Sequence, residues 1–111
     1  MGREQSILLA SEAGIAIRSL VDISEAIGLS LGTGGLIITE RELGPEFFEL
    51  RSRLAGEVLQ KFTNYKVRLA IVVPIPEVYG DRFNELVYEH RSHGLIRFVK
   101  SVEEARAWLN N

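Results

Sequence analysis

Three short apolar runs, GLIIT (35–39), LAIVV (69–73) and LIRFV (95–99), constrain the fold more than any other feature of the chain. A wholly apolar run of four or five residues reads as a strand covered on both faces, whereas a half-exposed strand alternates. The segments between the runs have helical period. After Pro45, which suits a first helical turn, Phe47, Leu50, Leu54, Val58 and Phe62 recur every three or four residues, and Asn64 can end the helix in a left-handed conformation. After Gly80-Asp81 the repeat is Phe83, Leu86, Val87 and His90, with Gly94 beyond it. Helices separating apolar strands imply right-handed crossovers and a largely parallel sheet.

The ends of the chain complete this plan. Residues Ser6 to Leu20 read as a hairpin: SILLA, a turn at SEAG, then IAIRSL with β-branched alternation. In VDISEAIGLSL, Asp22 and Glu25 have capping-box spacing, while Ile23, Ala26, Ile27 and Leu31 share one face. Gly32-Thr33-Gly34-Gly35 stops that helix. SVEEARAWL forms the closing helix, with Ser101 and Glu104 again at capping-box spacing. The expected fold is one α/β domain over 1–111: a mixed, largely parallel five-stranded sheet with four helices, ordered β-β-α-β-α-β-α-β-α. A ligand crevice would lie outside the carboxyl ends of the parallel strands, at Thr39 and Glu40, Pro74 to Glu77, and Lys100 and Ser101.

Bulk properties exclude several classes of function. A net charge of −2, from 13 basic and 15 acidic residues, gives no electrostatic reason to expect nucleic acid or an anionic membrane. Without cysteine there is no disulfide, thiolate metal site or cysteine nucleophile, which suits a cytoplasmic location. MGREQS lacks the apolar core of a signal peptide, and LAIVVPIP is too short to span a bilayer. Met1, Gly2 and Ser6 fit the loose myristoylation pattern, read here as a chance match.

The block FFELRSRLAGEVLQKFTNYKVRLAIV, with VYEHRSHG and RFVKSVEEA downstream, resembles a small bacterial domain-of-unknown-function family (DUF 4180 type). That family's core block also runs from a Phe-Phe pair through Leu-Ala-Gly-Glu and Leu-Gln-Lys-Phe to Asn-Tyr and an apolar strand. The likeness covers most of the chain after about Leu36 and implies no activity. The element order is also similar to STAS-type domains, typified by anti-sigma-factor antagonists, which implies a regulatory role. Such regulators place a phosphorylatable hydroxyl at the start of the helix after the central strand. Here Gly44 and Pro45 stand at that point, and only Thr39 could substitute.

The candidate interaction surface lies on the long helix and its exit: Gly56, Glu57, Gln60, Lys61, Asn64 and Tyr65. Arg53, Glu57 and Lys61 at spacing i, i+4, i+8 also fit a solvated charge ladder. Gly56 in mid-helix costs about 1 kcal/mol against alanine, which suggests close approach by another backbone or a ligand. Tyr65 joins a large apolar body to a polar tip, a residue type suited to an interface. Thr39, Glu40, Tyr79 and His93 form the candidate ligand rim. His90 and His93 lack a third convergent ligand, so no metal and no other cofactor is expected. The glycine turn lies between a helix and a strand, the reverse of a phosphate loop. Arg41, Arg51 and Arg53 are balanced by Glu40, Glu42, Glu46 and Glu49, and Trp108 reads as a lid on the sheet. The expectation is a non-enzymatic regulatory or interaction module with a protein partner, a second copy included. The rival is a small-molecule-binding protein or weak enzyme at the rim.

Overall fold

The computed structural model describes residues 6–111. The myristoylation pattern lies almost wholly outside them. Four strands, β1 (Ile7–Leu9), β2 (Gly35–Thr39), β3 (Leu69–Val72) and β4 (Ile96–Val99), form one sheet in the order β1-β2-β3-β4. Every neighbouring pair is parallel, with Ile38 beside Ile71 and Ile71 beside Phe98. The three apolar runs therefore lie side by side.

Six α-helices accompany the sheet: α1 (Ala10–Ala13), α2 (Val21–Ser30), α3 (Pro45–Phe48), α4 (Leu54–Asn64), α5 (Asp81–Glu89) and α6 (Val102–Leu109). Because strand order follows chain order, crossovers of a single hand must all fall on the same face. The core has this arrangement. Ile23, Ala26 and Ile27 of α2, Val58 and Phe62 of α4, and Phe83 of α5 pack with Leu36, Ile38, Leu69, Ile71 and Ile96. On the opposite face Ile37, Ala70, Val72 and Val99 meet Ala105 and Leu109 of α6. Arg68 seats that helix: its guanidinium donates to the carbonyls of Leu109 and Trp108 at 3.1 and 3.2 Å and lies 4.5 Å from the Trp108 ring centroid. Trp108 is partly buried against the second face, as a lid would be.

Among the described residues the opening hairpin is absent, so the sheet has four strands, not five, and no antiparallel edge, and the α-helices number six, not four, because α1 is added and the long helix is split. SEAG does not reverse the chain. It forms the turn of α1, capped by Gly14 at φ 73°. Ile15 and Ile17 sink into the core on either side of a half-buried Ala16, and Ile17 bridges in parallel to Leu43 beyond β2. The β-β opening of a STAS-like order is thereby replaced. The long helix is also interrupted. Ser52 donates its hydroxyl to the Glu46 carbonyl at 2.6 Å and accepts from the Leu54 amide at 3.2 Å, satisfying locally what a continuous helix would satisfy by its ladder. Arg53 takes a left-handed conformation at φ 68°, and α4 starts after it. Asn64 stays helical, and Lys66 is the left-handed residue at φ 59°. Leu31, expected on the buried face of α2, is exposed instead.

Candidate functional site

The outward side of α4 carries the candidate surface. Gly56, Gln60, Lys61, Asn64 and Tyr65 are exposed and Glu57 is half-buried. Arg53 leaves the ladder because it precedes the helix in left-handed backbone. A Cβ on Gly56 would meet no atom within 4 Å, so no backbone of this chain approaches it.

The polar face turns out to be half of a groove. Glu57, Lys61 and Tyr65 line a depression of about 420 Å³ whose other wall is α2, through Leu20, Ile23, Ser24, Ile27, Gly28 and Leu31. Large apolar side chains of its lining stand in water: Leu20 is 57% exposed, Leu31 52% and Tyr65 58%. Isolated exposed apolar residues are ordinary, but a contiguous patch with a polar rim marks a contact site. The α2 wall escapes a reading based on amphipathic period. Ile23, Ala26 and Ile27 satisfy the core, yet Val21, Leu29 and Leu31 add apolar residues around the rest of the helix. That excess is the signal in the sequence, since a helix apolar on most sides needs cover on more than one.

The strand-end rim is partly assembled. The Tyr79 hydroxyl donates to Glu40 Oε1 at 2.5 Å, and its ring stacks on Phe48 with centroids 3.8 Å apart. Burial, and then the Glu40 carboxylate, push the Tyr79 phenol up to about 12. Thr39 is committed to a capping box: its hydroxyl donates to Glu42 Oε1 at 2.9 Å and accepts from the Arg41 amide at 3.2 Å. These contacts fill the carboxyl end of the sheet with the chain's own side chains. Beside them Arg51, Arg82, Phe48 and Tyr79 line an open cleft of about 490 Å³.

His93 does not belong to the rim. It precedes β4 and so lies at the amino end of the parallel strands, where its Nδ1 accepts from the amides of Leu95 and Ile96 at 3.0 and 3.1 Å. Desolvation, with the neighbouring His90 and Arg97 charges, lowers its pKa below the ordinary imidazole value. The His90 and His93 rings stack at 5.4 Å, and His90 Nδ1 is bonded to the Leu86 carbonyl at 2.9 Å. Among the described residues no group of three or more His, Cys, Asp or Glu is placed to hold a metal. Arg41, Arg51 and Arg53 occupy three separate segments: two single-turn helices and the residue before α4. In the glycine turn, Thr33 donates to the Ser30 carbonyl at 2.6 Å and accepts from the Gly35 amide, so those groups serve the reversal itself.

Fold and surfaces together define a small α/β domain built on a single parallel sheet, with an open apolar groove between two of its helices. The chain belongs to the domain-of-unknown-function family DUF4180, whose model matches residues 3–109. That match takes in the N-terminal third as well as the block after about Leu36. No curated protein and no solved structure matched the chain. No helix among the described residues is long and apolar enough to cross a membrane.

Proposed function

We propose that the chain is a cytoplasmic, non-enzymatic interaction module whose docking face is the groove between α2 and α4. The observation that carries this reading is the convergence there of exposed Leu20, Leu31 and Tyr65 around the Glu57–Lys61 pair. Water wets some of the largest apolar side chains on the surface, and covering them is favourable by roughly 25 cal/mol per Å². The opposite charges of Glu57 and Lys61 at their centre would set orientation. Of the STAS-like reading, regulation through surface contact is carried forward. A phosphorylation switch is not, because the Thr39 hydroxyl is held in its cap and Gly44-Pro45 offers none.

The test is the double variant Lys61→Ala/Tyr65→Ala, followed by mass in solution and by recovery of crosslinked partners from the native cell. The fold should survive, since both residues are exposed, while complexes are lost. Unchanged mass and unchanged recovery would overturn the reading.

The cleft lined by Phe48, Tyr79 and Phe83, with Arg51 and Arg82 offset by Glu49 and Asp81, supports a second reading, a small-molecule site for an aromatic compound. A thermal-shift screen of nucleotides and aromatic acids tests it, because a ligand of the native state raises its melting point. A shift that Arg51→Ala abolishes would favour this reading over the first.

A further inference from the structure

We infer that the occupant of the α2–α4 groove is a second copy of this chain, packed across a two-fold axis so that Glu57 of each copy meets Lys61 of the other. This rests on the contact reading above and names the partner.

Glu57 and Lys61 are one helical turn apart on α4, and both line the groove. A two-fold contact brings the same patch of both molecules together, so each group faces its counterpart's neighbour. With the two α4 helices antiparallel across the axis, carboxylate meets ammonium twice. The charge pattern is thus its own complement, and a foreign partner would have to reproduce what a second copy already carries. Leu20, Leu31 and Tyr65 would then close around the two pairs and exclude water from them.

The helix surfaces also leave room for close approach. Gly28 lies in the last turn of α2 and lines the groove, and a Cβ there would meet no atom within 4 Å. Gly56 is equally open on α4, beside Glu57. Glycine is a poor helix former, and although Gly56 lies in the first turn of α4, nothing in this chain's own packing calls for glycine at either position. A second helix backbone lying against Gly28 supplies the missing reason.

The experiment is sedimentation equilibrium on the purified full chain over a dilution series. It compares wild type, Glu57→Lys, Lys61→Glu and the double exchange Glu57→Lys/Lys61→Glu. Wild type should show a dimer that dissociates on dilution. Each single reversal sets like charges face to face and should weaken association roughly ten-fold or more. The double exchange should restore it. An equimolar mixture of the two single variants should form the mixed dimer, because one then carries two ammonium groups and the other two carboxylates. Thermal melts at low concentration confirm that each variant folds. A wild type that is monomeric throughout overturns the inference, as does a dimer indifferent to every reversal or a double exchange as weak as the singles. If wild type is monomeric but Lys61→Ala/Tyr65→Ala still loses a foreign protein, the contact reading stands and only the second-copy inference falls.

Discussion

His93 illustrates how a residue chosen for chemistry can be spent on structure. A histidine near a glycine, three residues from another histidine, reads as a candidate for binding or proton transfer. In the fold its Nδ1 holds the two amides that open β4, a task only the neutral ring performs. Its folded pKa is lowered, so the unfolded chain takes up a proton first as pH falls. Stability should be present above the unfolded value near 6.5 and be lost as pH drops through the folded one. His93→Asn keeps an acceptor oxygen that does not titrate. Its melting temperature should fall less than that of wild type between pH 7 and pH 5, and parallel profiles would refute this role. The sequence offered no sign of the task, because the bonds depend on where the ring sits relative to the strand start. Tyr79 shows the opposite case. It was legible as a rim residue, and its partner Glu40 was placed on the same rim, although the stacking on Phe48 depends on a crossing of segments far apart in the chain.

Among the elements, the Ser101 cap was legible, whereas the Asp22–Glu25 spacing misplaced the start of α2, which begins at Val21 with Asp22 inside it, accepting from the Arg18 and Ser19 amides. Ser101 accepts from the Glu104 amide at 3.1 Å, and Glu104 reaches back to the Lys100 amide at 3.0 Å, one residue earlier than the expected reciprocal bond. Ser101→Ala should cost about 1 kcal/mol in chemical denaturation, the usual worth of such a cap. A loss below a few tenths would mean that the helix start is held by the Glu104 bond to the Lys100 amide and by packing alone. Between α3 and α4, by contrast, the apolar period runs straight through the break: Phe47, Leu50, Leu54 and Val58 keep helical spacing although Arg53 turns left-handed. Periodicity records which side chains go inside. It is blind to whether the backbone between them stays helical when a serine offers alternative hydrogen bonds. The same blindness produced the false hairpin, where Ile15 and Ile17 both go inside yet Ile17 pairs with a distant loop and Ile15 bonds back to Ala10.

For the whole molecule, the three apolar runs were enough to place the sheet, its parallel direction and the outward face of α4. They did not show how unequally its faces are covered. Helices α2, α4 and α5 share one face, while among the described residues α6 is the one α-helix packed over the buried apolar cluster on the other. The domain should therefore be most fragile there. Ala105→Glu drives a carboxylate between α6 and the sheet, at a position with no exposure. Several kcal/mol of destabilisation are expected from an unpaired buried charge. The readout is loss of the cooperative thermal transition together with binding of an apolar dye, and a normal melt would show that α6 is dispensable. Strand order that repeats chain order has one more outcome, for synthesis. A ribosome can lay each new strand against the last, without threading one between two already in place. The greasy far side nevertheless stays bare until α6 has emerged, so the nascent chain is most in need of a chaperone between the synthesis of β4 and that of α6.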